Sequence, residues 1–263
     1  MGKSIGILSL KGGVGKTSVV VALGDALAHF GKKVLLIDGN LSAPNLGLHL
    51  NIIDPEVTLQ DVLSREKNLN DSIHKLERFD IIPASIFSRK EISPLNLRNK
   101  VNILKKRYDV VIIDSPPSLN EEALATILAS DEILVVATPD YSTLGTTIKT
   151  INHSRRRGTK INGLILNRVY DQSFEISLED IEKTLDVPIM AVIPHDVEVL
   201  RAQSHFIPVT SYKPNSEGSI EFKKLAAALI GEKYQQSGFR RFMRITPSKS
   251  DINRELFYKR VFE

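Results

Sequence analysis

Seven short apolar runs recur along this chain at intervals that limit the folds open to it. They occupy residues 4–10, 33–38, 79–83, 109–114, 132–138, 161–167 and 188–194. Runs of Val, Ile and Leu that do not alternate with polar residues are typical of strands buried on both faces of a sheet. The pattern therefore predicts a central sheet with both of its faces covered.

Helical patterns lie between most of these runs. They cover residues 16–30, 95–107, 120–130, 141–156, 174–185 and 217–230. Strands separated by helices favour right-handed crossover connections in a mostly parallel sheet. We therefore expect an α/β fold with helices flanking the sheet, formed by one domain that covers residues 1–232.

The composition is that of a globular chain, and it excludes several classes of function. The 263 residues include no cysteine, and 25% of them are charged. Iron–sulfur carriers and thiolate metal sites need cysteine ligands, so these classes are excluded. No apolar run approaches the roughly 18 residues of a spanning helix, and no signal-peptide pattern opens the chain. We expect a cytoplasmic protein that does not span a membrane.

The basic charge of the chain is concentrated at its end. Residues 233–263 contain 8 basic and 3 acidic residues, whereas the preceding part contains 27 basic and 28 acidic residues. The body is therefore almost neutral, and we treat 233–263 as a separate basic tail.

A glycine-rich loop, KGGVGKT at residues 11–17, joins the first apolar run to the first helical pattern. Glycines let such a loop wrap around a phosphate, so that backbone N–H groups and the helix N-terminus face it. A lysine there reaches the β and γ phosphates, and a threonine hydroxyl suits Mg²⁺. The residues expected to bind the nucleotide are Lys11, Gly12, Gly13, Val14, Gly15, Lys16, Thr17 and Ser18.

With its additional lysine at the start, this loop resembles the deviant phosphate loop of the MinD/ParA family of dimerising ATPases, most closely that of the archaeal MinD-like members. The resemblance extends over roughly residues 3–230. It implies ATP and Mg²⁺ as cofactors and an ATP-dependent homodimer. It also implies that Lys11 reaches across the dimer to the partner's phosphates, and that Lys16 acts on the bound phosphates.

Two aspartates end apolar runs beside this loop. Asp38 is placed to orient a water on Mg²⁺, because a carboxylate at the end of a buried strand meets the phosphate site. Asp114 begins DSPPSL, which resembles the family's second switch, with its carboxylate near the metal. The predicted metal set is therefore Thr17, Asp38 and Asp114.

Asn40 stands where the family usually has a second aspartate that positions or activates the attacking water. An amide can hold a water by hydrogen bonds but cannot take its proton near neutral pH. Because phosphoryl transfer relies chiefly on positioning and charge stabilisation, we expect hydrolysis to be slow rather than absent. An ATP-bound scaffold with little turnover is the alternative.

The resemblance also identifies residues at the ends of later strands. Asn167 and Arg168 stand where the family reads the adenine with an asparagine amide, and Pro194 lies in a segment similar to the one around the base. His195 follows Pro194 and receives no role.

The tail contains a basic amphipathic turn. On a helix, its apolar residues face one side and its arginines the other; the predicted membrane-binding residues are Phe239, Arg240, Arg241, Phe242, Met243 and Arg244. Such a turn suits an anionic membrane surface, and two copies in a dimer would bind with higher avidity. Docking of the tail on the protein's own body is the alternative.

DNA is the competing partner, because a basic cluster lies at residues 153–160. The helix dipole also favours arginines at a helix C-terminus without any ligand, and the neutral body lacks a broad positive field. We therefore expect an ATP-driven switch that acts at the inner face of the cell membrane or at a cell pole, with an unknown activator protein. A ParA-like DNA partition ATPase ranks below it.

Overall fold

The computed structural model describes residues 2–88, 90, 92–170, 172–232 and 234. Within these ranges an eight-stranded sheet forms the centre of the molecule. The strands are β1 (Lys3–Leu8), β2 (Val34–Asp38), β3 (His74–Lys75), β4 (Asp80–Ile82), β5 (Val110–Asp114), β6 (Glu132–Ala137), β7 (Lys160–Val169) and β8 (Ile189–Pro194). Their spatial order is β3-β4-β2-β5-β1-β6-β7-β8, and every pairing is parallel except that of β3 with β4.

The helices connect these strands and cover both faces of the sheet. They are α1 (Lys16–His29), α2 (Leu59–Leu63), α3 (Leu97–Leu104), α4 (Glu121–Ala129), α5 (Tyr141–Arg156), α6 (Leu178–Leu185), α7 (Val197–Ser204), α8 (Val209–Tyr212) and α9 (Glu217–Leu229). Short 3₁₀ turns occur at Leu48–Leu50, Leu69–Ser72 and Pro94–Asn96.

Burial of the strands on both faces explains their unbroken apolar sequences. Every residue of β2 and β5 is buried. One face of the sheet packs against α1 and α9, and the other packs against α3 and α4 on one side and against α5 and α6 on the other. The predicted α/β fold with a mostly parallel, helix-flanked sheet is therefore confirmed.

The register of the central strands assembles one edge of the sheet. Asp38 pairs with Asp114 in the β2–β5 ladder, and Ile7 pairs with Asp114 in the β1–β5 ladder. The loop after β1 and the two aspartates thus lie together at the carboxyl ends of adjacent strands, which is where ligands bind in open α/β sheets.

Several boundaries differ from those expected. The helix predicted from residue 174 begins at Leu178, because the Ser177 side chain accepts a hydrogen bond from the Asp180 backbone N–H and caps it. The helices α2, α7 and α8 and the two-residue strand β3 were not predicted. In α7, Val197 and Leu200 are exposed rather than part of a buried stripe, so the helix carries a weak apolar pattern.

Among the described residues, no helix is both long enough and apolar enough to cross a membrane. The amphipathic turn predicted from Phe239 to Arg244 lies outside the described residues.

Candidate functional site

The loop between β1 and α1 has the backbone that its glycines allow. Gly13 and Gly15 have φ values of 78° and 90°, in the region that side chains other than glycine rarely adopt. A Cβ atom at Gly15 would also lie 2.4 Å from Nδ2 of Asn167. The loop therefore turns tightly into α1, which begins at Lys16, and directs the helix N-terminus toward the edge where the strands end.

Thr17 and Asp114 form the centre of the site. Thr17 Oγ1 donates a hydrogen bond of 2.6 Å to Asp114 Oδ2. The other carboxylate oxygen of Asp114, Oδ1, is buried and has no hydrogen-bond partner among the described residues. Burial raises the pKa of Asp114 to about 6, although the positive charge of Lys16 and the bond from Thr17 oppose the rise. An orphaned carboxylate oxygen beside a hydroxyl is a donor set that fits Mg²⁺.

Lys16 is almost buried at the start of α1, with 8% of its surface exposed. Burial lowers its pKa, and the nearby Asp114 carboxylate opposes this effect. A second anion in the site would stabilise this buried charge, because the Asp114 carboxylate only partly offsets the cost of burying it.

Asp38 organises the loop that follows β2. It is fully buried, and both of its oxygens accept backbone N–H groups: Oδ1 from Asn40 at 3.2 Å, and Oδ2 from Asn45 at 3.1 Å and Leu46 at 3.0 Å. Burial and the neighbouring Asp114 charge raise its pKa well above the usual value. Its role toward a metal-bound water stays a prediction.

The side chain of Asn40 is engaged within its own loop. Its Nδ2 donates to the backbone oxygen of Ala43, and its Oδ1 accepts the backbone N–H of Ala43 at 3.3 Å. Only 6% of Asn40 is exposed. In this conformation the amide closes a turn over residues 40–43, and both its nitrogen and its oxygen are hydrogen-bonded within that turn.

Lys11 is bound by groups at the start of α5. Its Nζ lies 3.1 Å from Asp140 Oδ1 and 2.8 Å from Thr143 Oγ1. Asp140 also caps α5 by accepting the backbone N–H of Thr143. Burial disfavours the charged form of Asp140, but hydrogen bonds from Thr138, Thr143 and Lys11 outweigh this effect and hold the pKa of its carboxyl well below the usual value.

The residues predicted to surround the base lie at the ends of β7 and β8. Asn167 Nδ2 donates to the backbone oxygen of Val14 at 2.7 Å, so it also supports the glycine-rich loop. Arg168 is exposed with a φ of 57°, and Pro194 is buried at the end of β8. The structure thus brings Asn167 and Arg168 beside the glycine-rich loop. Their contact with a base stays a prediction.

Comparison with known proteins agrees with this geometry. Residues 2–163 match a protein family described as an AAA domain, and the septum site-determining protein MinD of Thermotoga maritima is 34% identical over 88% of this chain and 89% of its own length. The chain belongs to the MinD/ParA family of ATPases. An ATP-binding protein of Methanocaldococcus jannaschii is 35% identical over 89% of this chain and 90% of its own length.

The similarity to MinD extends to three-dimensional structure. The MinD protein of Pyrococcus horikoshii, solved in complex with Mg-ADP, superposes with a TM-score of 0.82 and 35% sequence identity. The match covers 87% of this chain and 96% of the P. horikoshii chain. The glycine-rich loop and the strand-end aspartates therefore occupy one edge of a MinD-type fold.

Some residues of this MinD-type site were not anticipated from the sequence. Asp140 and Thr143 bind Lys11, and Glu122 contacts the loop after β2. Asp140 had a recognisable signal, because it follows an apolar run and precedes a helix, as an N-cap residue does. His195 is exposed, and its ring stacks on Tyr170 with the ring centroids 4.5 Å apart.

One residue of the basic cluster at the end of α5, Arg155, contacts another part of the same chain. One guanidinium nitrogen of Arg155 donates to the backbone oxygen of Asp186 at 2.6 Å and lies 3.2 Å from its carboxylate. This contact gives Arg155 a structural role that requires no DNA.

Proposed function

We propose that this chain is an ATP-dependent dimerising switch of the MinD type that binds Mg·ATP and hydrolyses it slowly. The observation that carries the proposal is the buried Asp114 carboxylate, which has one oxygen on Thr17 and the other without a partner among the described residues. When bound, Mg·ATP supplies a divalent cation and a chain of phosphate oxygens. Thr17 and Asp114 would hold the metal, with Asp38 behind them, and Lys16 would pair with the phosphates.

The two switch loops follow from the same strands. Asp38 and Asp114 end neighbouring strands, and each leads directly into a loop beside the site. Asp38 fixes the first loop through three backbone N–H groups. A change in charge next to these carboxylates would therefore alter the hydrogen bonds that hold the loops, which is how the nucleotide state would reach the surface.

The dimer depends on Lys11. Its side chain is about one-third exposed, and its only described anionic partner, Asp140, is itself 45% exposed. An exposed ion pair contributes little and is readily exchanged for another anion. We propose that Lys11 leaves Asp140 and contacts the phosphates of the partner subunit when both subunits hold ATP.

The tail is the part proposed to bring the dimer to an anionic membrane surface, as a peripheral protein on the inner face of the cell membrane. Its support is the separation of Phe239, Phe242 and Met243 from the arginines in the sequence. An activator protein would regulate turnover on that surface.

Liposome co-sedimentation of the full chain tests this location. Binding to vesicles that contain anionic lipid is expected with Mg·ATP, and at least severalfold less with ADP. Phe242→Asp should abolish it, whereas Phe257→Asp, the same change elsewhere in the tail, should not. Binding that is absent, or equal in ATP and ADP, would refute the membrane proposal.

A second candidate, an ATP-bound scaffold without useful turnover, is favoured by one observation. The amide of Asn40 is hydrogen-bonded to the backbone of Ala43, and an amide cannot take a proton from water near neutral pH. Phosphate release by the full chain with and without cell extract decides between the two: release in either condition supports the switch, and none in both supports the scaffold.

A further inference from the structure

The tip of the loop after β2 is attached to α4 by a single carboxylate. Glu122 Oε2 accepts the backbone N–H of Leu41 at 3.1 Å, and Oε1 accepts the hydroxyl of Ser42. Leu41 and Ser42 are the two central residues of the turn that Asn40 closes on Ala43. Glu122 is therefore hydrogen-bonded to the same turn in which the Asn40 amide is engaged.

The attachment joins the two switch loops. Glu122 lies in the first turn of α4, which directly follows the loop that begins at Asp114. The base of the first loop is fixed separately, by the buried Asp38 carboxylate. The loop thus has a buried anchor at its base and a partly exposed carboxylate at its tip, where Gln60 Nε2 also makes a longer contact of 3.5 Å with the Leu41 backbone oxygen. Of the two carboxylates, the partly exposed one is the easier to release.

The exposed anchor is accessible from solvent. A cleft of about 470 Å³ opens beside it, lined in part by Leu41, Ser42, Glu121 and Glu122. Ser42 is itself exposed. Competing groups can therefore reach the Glu122 carboxylate without unfolding the core.

A structural role for Glu122 at the start of α4 does not explain this geometry. Asn120 already caps α4 by accepting the backbone N–H of Ala123. Glu121 also places an acidic side chain in the first turn, where it complements the helix dipole. Glu121 is therefore a matched control, because it also lies in the first turn of α4 but its carboxylate accepts the Ser93 hydroxyl at 3.4 Å instead of the groups that Glu122 accepts.

We propose that Glu122 is a positioning residue that keeps the turn over residues 40–43 closed, and so keeps the Asn40 amide engaged instead of available to hold a water. This inference rests on the proposed ATPase function. The carboxylate accepts through both of its oxygens, so a glutamine at this position would retain one acceptor and replace the other by a donor. Release of Glu122 opens the turn and raises the rate of hydrolysis.

Hydrogen exchange of the full chain tests the closed turn without reference to turnover. In Glu122→Ala, the Leu41 amide should exchange at least about tenfold faster, with intermediate exchange in Glu122→Gln. Exchange in the core strand β5 should be unchanged, and Glu121→Ala should behave like the parent throughout. Ser42→Ala combined with Glu122→Ala should be less than additive, because Glu122→Ala already removes the contact with the Ser42 hydroxyl. An unchanged Leu41 amide in Glu122→Ala would overturn the proposal.

Steady-state phosphate release then tests the consequence for Asn40. Glu122→Ala should raise kcat at least about threefold with KM for Mg·ATP within twofold of the parent, and Glu121→Ala should change neither. Faster exchange of Leu41 with an unchanged or lower kcat would overturn the positioning role. If the parent shows neither phosphate release nor ATP-dependent dimerisation, the proposed function fails, and the exchange experiment still decides whether Glu122 holds the turn.

Discussion

Lys11 Nζ lies 3.1 Å from Asp140 Oδ1 within a single chain. The same nitrogen contacts Thr143 Oγ1 at 2.8 Å, so its charge is compensated before any partner arrives. A lysine that bridges a dimer must first give up these contacts. In the proposed dimer, the Lys11–Asp140 pair would therefore oppose dimerisation by the amount that it contributes to each single chain.

Asp140→Asn should strengthen the ATP-dependent dimer. An exposed ion pair contributes about 0.2–1 kcal/mol and each subunit of the homodimer gives up one, so the dimer Kd should fall by a factor between about 2 and 30. Asparagine caps helices about as well as aspartate, so α5 should keep its start. Analytical ultracentrifugation in Mg·ATP measures the change. Asp186→Asn, which breaks the exposed pair with Arg155, is the control and should leave Kd unchanged.

Asp114→Asn should stabilise the nucleotide-free fold at neutral pH while it abolishes binding of Mg·ATP. The pKa of Asp114 is raised by burial from 3.8 to about 6. The folded state therefore holds a proton that the unfolded state has lost, and the stability of the parent falls as pH rises from about 4 to about 6. The asparagine variant lacks this loss, which corresponds to about 3 kcal/mol.

Chemical unfolding of the metal-free proteins at pH 4, 5, 6 and 7 provides the measurement for Asp114→Asn. The difference in free energy of unfolding between variant and parent should grow between pH 4 and pH 6. A difference that is constant with pH would show that the Asp114 carboxyl does not titrate there.

Gly15→Ala should prevent nucleotide binding and destabilise the fold. The residue has a φ of 90°, and a Cβ would lie 2.4 Å from Asn167 Nδ2, so both the backbone and a neighbour would have to move. The strain corresponds to about 1–3 kcal/mol. Gly145→Ala is the matched control, because Gly145 lies in α5 with open space where the new Cβ would stand, and it should be neutral or stabilising. Thermal unfolding and fluorescent-nucleotide binding measure both effects.

Asn40→Asp should raise the rate of phosphate release by about tenfold or more, because a carboxylate can accept a proton and an amide cannot. The gain should appear in kcat, with KM for Mg·ATP changed much less. A rate equal to that of the parent would show that position 40 does not act on the attacking water.

The sequence was sufficient for those parts of the fold and the site that depend on local pattern. Unbroken apolar runs predicted strands, and a carboxylate after a buried run predicted Asp114 beside the loop that contains Thr17. This worked because the ends of parallel strands meet at one edge of a sheet whatever their separation in sequence.

The contacts between distant side chains could not be predicted in this way. Lys11 and Asp140 are separated by 129 residues, and Leu41 and Glu122 by 81. Whether such groups meet depends on strand order and helix start, which periodicity does not determine. The turn that engages Asn40 is held by the same tertiary contact, so the sequence showed that Asn40 replaces the aspartate usual in the family but not the conformation of its side chain.

The mass of the full chain in solution tests the central claim most directly. Sedimentation equilibrium in Mg·ATP should give a dimer, and the same protein in Mg·ADP should give a monomer. Lys11→Ala should bind ATP and remain a monomer, because its loop is intact but the bridging charge is lost. An identical mass in ATP and ADP, or a Lys11→Ala variant that dimerises as the parent does, would contradict an ATP-dependent switch bridged by Lys11.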